Sequence, residues 1–196
     1  MNLFLENIIL TENYRGFKKS ARIDFKPGIT LLVGDQGAGK STILSLLSPR
    51  DEKSNDKIRT FKCDNQVQVF SFDTEKDNPR IKGRIETKFQ IAAIWSSHGE
   101  TMRAVHSKID TEKNALFMID EPEAGLSLRS QYELIEKIKK AIENGCQFIL
   151  ATHSLVLMQE FGNIFDLEKM EYTTFDDFVS RQKNGTWKKP QNTSLL

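Results

Sequence analysis

Residues 34–41 read Gly-Asp-Gln-Gly-Ala-Gly-Lys-Ser, and no other stretch limits the fold as much. The Gly-x-x-x-x-Gly-Lys-Ser pattern follows the apolar run Ile29 to Val33 and precedes the helix-like Thr42 to Leu47, the strand–loop–helix setting of a phosphate-binding loop. Gly34, Gly37 and Gly39 let the backbone bend, so that the N–H groups of Asp35, Gln36, Ala38 and their neighbours point with the helix N-terminus at phosphate oxygens. Lys40 would reach the β- and γ-phosphates. Ser41 would place its hydroxyl on Mg²⁺, and Thr42 would support a neighbouring phosphate contact. The alternative is a plain glycine-rich turn before a helix, which gives the Lys-Ser pair no purpose.

A chain of 196 residues can bury a sizeable core, and one domain over 1–196 is expected. Its 28 basic and 27 acidic side chains leave a net charge of +1, so no global field draws it to DNA or to a membrane. Cys63 and Cys146 form no Cys-x-x-Cys pair and are expected as reduced thiols rather than a zinc site or a disulfide framework. The opening MNLFLENIIL has neither a basic leader nor a small-residue cleavage site, and no apolar run approaches membrane-spanning length. The expectation is a soluble, cytoplasmic protein without a membrane partner.

Leu3 to Leu10 and Ala21 to Phe25 read as strands, the second half-exposed, with a turn between them. Pro27 and Gly28 turn the chain into the buried strand Ile29 to Val33. Residues 49–65 are polar without apolar periodicity and read as a solvated connector. Gln66 to Phe72 alternates as a strand does, while Arg84 to Ile94 fits a strand running into a short helix and periodicity does not decide it. Ala115 to Asp120 is a buried strand, Ser127 to Glu143 an amphipathic helix, and Cys146 to Thr152 another buried strand. A helix from Ser154 to about Phe161, a last strand Ile164 to Leu167 and a last helix Thr174 to Lys183 follow. The alternation predicts an α/β fold with a mainly parallel sheet and antiparallel N-terminal strands beside it. Residues 184–196 read as a flexible tail or a partner contact.

Leu116 to Pro122, Leu-Phe-Met-Ile-Asp-Glu-Pro, is an apolar strand that delivers adjacent carboxylates to its end, as a Walker B site requires. The first would hold hydrated Mg²⁺ and the second would lie beside the attacking water. Asp120 takes the metal role and Glu121 that of general base. Glu123 has no evident catalytic place. Cys-Gln-Phe-Ile-Leu-Ala-Thr-His-Ser then brings His153 to the same sheet edge as Asp120, where a neutral imidazole would hydrogen-bond a γ-phosphate.

The order Asn13-Tyr-Arg-Gly-Phe-Lys18, a short strand ending Asp-Phe, Pro-Gly, a buried strand and Gly-Asp-Gln-Gly-Ala-Gly-Lys-Ser-Thr resembles the N-terminal part of structural-maintenance-of-chromosomes and RecF-like ATPases. That likeness covers about the first quarter of the chain. With Ser-His-Gly-Glu at 97–100, the run from Leu116 to Ser127 and Phe148 to Ser154, the chain is similar to a group of small ABC-type P-loop ATPases. The resemblance implies ATP and Mg²⁺ as ligands, a homodimer formed head to tail on ATP binding, and a switch role for His153. It implies that Ser97 and Gly99 act as a reduced signature, closing on the γ-phosphate held by the partner chain. Ser96, His98 and Glu100 depart from the usual Leu-Ser-Gly-Gly-Gln, and a plain helix cap by Ser97 with Glu100 three residues on fits the same residues. The region 49–100 is expected to hold the connector and a reduced helical subdomain, with Asp73 standing in for the glutamine-loop metal contact.

The departures from the family also limit function. Only about seventy residues separate the phosphate loop from the Walker B strand, too few for long coiled-coil arms at ~1.5 Å per residue, and a nuclease centre after His153 is not expected. Arg15, Lys18 and Lys19 lie in the turn before the phosphate loop, a region that faces nucleotide or DNA in the resembling ATPases; a solvated surface is the plainer reading. Tyr14 or Phe17 would stack on adenine or line the core. The function expected is an ATP-gated, non-transporter ATPase that regulates a partner effector, a nuclease or DNA, in the manner of DNA repair or phage defence. Its alternatives are a regulatory module with a vestigial site and, less favoured, a transporter subunit.

Overall fold

The computed structural model describes residues 4–48, 56–62, 67–72 and 107–185. Its centre is a six-stranded sheet made of β3 (Ile29–Val33), β5 (Gln68–Phe72), β6 (Ala115–Asp120), β7 (Gln147–Ala151), β8 (Ile164–Asp166) and β9 (Glu171–Thr173). The order is β5-β6-β7-β3-β8-β9, with every pair parallel except β8 and β9. Every residue of β3, β6 and β7 is buried. Parallel strands covered on both faces lose the polar–apolar alternation of a half-exposed strand, which is why these three read as near-continuous apolar runs, interrupted by Thr30 and bounded by Gln147 and Asp120.

Successive side chains on a strand point to opposite faces, and the core divides accordingly. Leu31, Val33, Phe117, Ile119, Phe148 and Leu150 pack on one face against α2 (Leu128–Glu143), α3 (Leu155–Phe161) and α4 (Phe175–Lys183). Leu32, Leu116, Met118, Ile149 and Ala151 face the other way, onto α1 (Lys40–Leu47) and the N-terminal strands. Each large apolar side chain so buried stabilises the fold by roughly 1.5–3 kcal/mol. Phe70, Phe117 and Phe148 stand opposite one another on adjacent strands and stack at centroid separations of 5.0 and 4.9 Å.

The N-terminal strands form a separate antiparallel sheet, ordered β2-β1-β4, from β1 (Leu5–Leu10), β2 (Arg22–Asp24) and β4 (Ile58–Lys62). Gln147, fully buried in β7, joins the two sheets. Its Oε1 accepts the N–H groups of Phe4 and Leu5, each at 2.9 Å, and its Nε2 donates to the carbonyl of Leu5 at 3.0 Å.

The mainly parallel α/β sheet with antiparallel N-terminal strands agrees with the sequence reading, and two strands depart from it. The connector at 49–65 contains β4, whose pairing with β1 supplies the order that its polar composition conceals. Ile164 to Leu167 is not the last strand, because the chain turns back through Met170, at φ 57°, into β9. That turn has no glycine and no Asn-Gly pair to announce it. Cys146 is buried and free, and burial pushes its thiol pKa up. Cys63, the tail after 185, the 84–94 segment and the region of the expected helical subdomain before 107 lie outside the described residues. Among the described residues no helix is long and apolar enough to cross a membrane.

Candidate functional site

In a parallel sheet the crevice beyond the carboxyl ends of the strands is where ligands bind. Here β3, β6 and β7 end at one edge, and β3 runs there into the loop 34–39. Gly34 has φ 145°, and a Cβ on it would lie 2.7 Å from Ala38 Cβ. Gly39, at φ 99°, is the N-cap of α1, and the Phe17 ring occupies the space that a side chain there would need. Both positions exclude other residues, so the loop is a close-fitting cradle of backbone N–H groups of the kind that phosphate requires.

Lys40, the first residue of α1, is buried, and its Nζ donates to the carbonyls of Gly34 at 2.9 Å and Asp35 at 3.1 Å. Loss of hydration lowers its pKa from the ordinary lysine value, against the opposing pull of Asp120, Glu121, Asp35 and Glu168. A poorly hydrated ammonium amid negative charge is ready to exchange carbonyl partners for phosphate oxygens. Ser41 is exposed and Thr42 half-buried on the same first turn.

β6 ends in Asp120, buried, and Glu121 follows at φ 49°, a left-handed conformation that is uncommon for glutamate. The N–H of Glu121 donates to the carbonyl of Ala151 at 2.8 Å, tying the end of β6 to β7. On the other side of β7, the N–H of Thr152 donates to the carbonyl of Leu32 in β3 at 3.2 Å. His153 stands exposed at the end of this central strand. Lys40, Asp120, Glu121 and His153, at or just beyond the ends of three neighbouring strands, are thus brought to one edge of the sheet.

Among the described residues no three His, Cys, Asp or Glu side chains cluster as a metal site, so a cation here would rest on Ser41 and Asp120 together with its ligand's phosphates. The close-fitting loop and the carboxylates around a desolvated lysine fit such a pair of groups. Asp73, Ser97 and Gly99 lie outside the described residues. Phe17 is a packing residue against Gly39, while Tyr14 is half-buried with the cations of Arg15 and Lys57 over its ring at 5.3 and 5.0 Å.

Two groups of residues escape a sequence reading. Glu123 Oε1 accepts from Thr152 Oγ1 at 2.7 Å, from the N–H of His153 at 2.7 Å and from the N–H of Ser154 at 3.0 Å. The only local signal was a further carboxylate after Asp-Glu-Pro. Glu168 Oε1 accepts the N–H of Asp35 at 3.3 Å, and Arg181 of α4 pairs with both Glu168 and Asp166. Nothing in the sequence links those positions to the loop.

The sheet order, the loop and the strand-end carboxylates define a P-loop ATPase of the ABC type. The chain belongs to the AAA ATPase domain family, whose profile matches residues 4–111, more than half its length. Residues 88–159 also match the family described as "AAA domain, putative AbiEii toxin, Type IV TA system". The zinc import ATP-binding protein ZnuC of Acinetobacter baylyi is 27% identical over 176 residues, spanning 77% of this chain and 67% of that protein. Among solved structures, the ADP conformation of MJ1267, an ATP-binding cassette of an ABC transporter, is similar with TM-score 0.55 at 16% identity, covering 83% of this chain and 86% of that one. The ATP-binding cassette MJ0796, in a dimeric post-hydrolysis state bound to ADP and Pi, gives TM-score 0.51 at 15% identity, over 82% of this chain and 93% of that one. At such identities the likeness speaks for the fold alone.

Proposed function

We propose that this chain binds ATP with Mg²⁺, pairs head to tail with a second copy, and hydrolyses the nucleotide slowly as the closed pair releases. One observation carries the reading: β3, β7 and β6 deliver Lys40, His153 and the Asp120–Glu121 pair to a single edge, around a loop that admits no side chain at Gly34 or Gly39. The backbone of residues 34–42 holds the phosphates, with Lys40 on the β- and γ-phosphate oxygens. Ser41 and Asp120 hold the metal, which when bound supplies positive charge at those oxygens. Glu121 orients a water and accepts its proton, and His153 donates a hydrogen bond to the γ-phosphate. Ser97 and Gly99 of the partner copy complete the site, and Asp73 contributes to the metal's surroundings. A half-site lacks groups that stabilise the transition state, so nucleotide binding itself is the signal.

The exposed Leu128 and Leu155, which open the helices following Glu121 and His153, support a partner at this edge. The process so gated is an effector, nuclease or DNA transaction in the cytoplasm, rather than transport. The match to a family named for a toxin of a toxin–antitoxin system supports that choice. A transporter subunit is the second reading, favoured by the likeness to a zinc import ATP-binding protein. A regulatory module with a vestigial site is a further alternative, motivated by the irregular Ser-Ser-His-Gly-Glu at 96–100.

The decisive measurement is the solution mass of Glu121→Gln by light scattering, with and without Mg²⁺-ATP. A doubling that needs the nucleotide is expected. A mass that stays at one chain, or a Lys40→Ala variant that binds ATP normally, overturns the reading. Recovery of the chain with membranes through an integral membrane partner would select the transporter alternative.

A further inference from the structure

Glu123 lies two residues beyond the proposed general base, in a turn held by its own backbone. The N–H of Ala124 donates to the carbonyl of Glu121 at 2.9 Å, and the N–H of Leu126 to that of Glu123 at 3.0 Å. From this fixed turn the side chain reaches across to the end of β7, where Oε1 accepts three hydrogen bonds, from Thr152 Oγ1 and from the N–H groups of His153 and Ser154. Charge-assisted bonds of this kind are roughly twice as strong as neutral ones. The loop is braced further by Thr152 Oγ1, which accepts the N–H of Ser154 at 2.9 Å, and by Ser154 Oγ, which donates to Gln131 Oε1 at 2.7 Å. Glu123 Oε2 is buried and has no hydrogen-bond partner among the described residues. Glu123 itself is half-buried, and a buried carboxylate oxygen left unpaired is costly.

We infer that Glu123 is a positioning residue that fixes His153 relative to Glu121, so that the turn after β6 and the loop after β7 move as one piece. This inference rests on the proposed hydrolytic site. Without the clamp, the backbone that carries His153 would keep the end of β7, the first turn of α3 and the Ser154 bonds to Thr152 and Gln131, but would lose its direct tie to the turn that holds Glu121. The imidazole would then lose its fixed distance from the water that Glu121 orients.

The test is a double-mutant cycle on the full chain, with Glu123→Ala, His153→Ala and both together, and with Glu123→Gln as the conservative variant. Glu123→Ala is expected to lower kcat by on the order of tenfold to a hundredfold, with KM for ATP within about twofold, as for loss of an interaction felt only in the transition state. The double variant should be no slower than His153→Ala alone, because Glu123 acts through His153. Glu123→Gln, which keeps an acceptor oxygen for the same donors, should recover most of the rate. Losses that multiply in the double variant overturn the inference. A second readout needs no turnover: amide exchange at His153 and Ser154 in the nucleotide-free chain should speed up in Glu123→Ala while Ile149 and Leu150 stay protected. Unchanged exchange at those two amides refutes the clamp. If exchange rises but the unaltered chain hydrolyses no ATP, the hydrolytic reading fails and the clamp stands.

Discussion

The Phe17 ring sits 2.5 Å from the position that a β-carbon on Gly39 would take. A residue of the turn between the first two strands therefore forms one wall of the phosphate loop. Replacing Gly39 by Ala meets this wall and also a backbone at φ 99°, so Gly39→Ala should abolish nucleotide binding and lower the melting temperature. Adding Phe17→Ala removes the clash but not the torsional strain. The double variant should be less perturbed at the loop than the sum of its parts, and nucleotide titration with thermal melts of all four chains would show it.

Lys40 gives a prediction about pH. Its pKa in the folded chain is lowered by burial from the ordinary 10.5, so the unfolded chain binds more protons in the alkaline window just below that value. Stability should therefore rise as pH increases through the window, and the stability withheld below it is the desolvation penalty of the charged form. Lys40→Met should flatten that rise in urea melts compared across alkaline pH. It should also leave the nucleotide-free chain at least as stable at neutral pH, while ATP no longer raises its melting temperature.

Arg181 is a support for the loop at a distance. Its guanidinium, 16% exposed, pairs with Asp166, 1% exposed, and with Glu168, which in turn accepts the N–H of Asp35. Arg181→Ala leaves two buried carboxylates uncompensated and should destabilise the chain by about 3–5 kcal/mol. Arg181→Lys should lose less but still weaken nucleotide binding, since an ammonium cannot span both carboxylates as the planar fork does. Denaturant melts and ATP titrations together measure the two effects.

Gln147 makes a prediction about how the two sheets are joined. Gln147→Leu would strand the N–H groups of Phe4 and Leu5, each at a cost of about 1–3 kcal/mol. The variant should be destabilised although it makes β7 more apolar, and exchange at those two amides should rise first. Equal stability in the two chains would show that the sheets are held by their side-chain core alone.

What the sequence made legible follows from how local each requirement is. The phosphate loop is contiguous because backbone N–H groups can cradle one anion only if they are neighbours, and the strands ending in Asp120 and His153 were readable because full burial leaves an apolar run. Glu123 was not, because its partners lie 29 to 31 residues away, and Arg181 was not, because it meets the loop only through Glu168. Gln147 did carry a signal: an amide in an otherwise apolar buried strand must find partners in the fold. The strands β4 and β9 were hidden by their positions, one in a polar segment and one after a turn without glycine.

The strand order also sets a length. Because β7 stands between β3 and β6, the ends that carry the phosphate loop and Asp120 are separated by two inter-strand spacings, roughly 9.5 Å. Hydrogen-bonded strands hold that spacing far more tightly than loops do. A third strand thus acts as a gauge block between the two jaws of the site. An inserted bulge in β7 would change the bite, so nucleotide affinity should fall with any change in the register of this one strand.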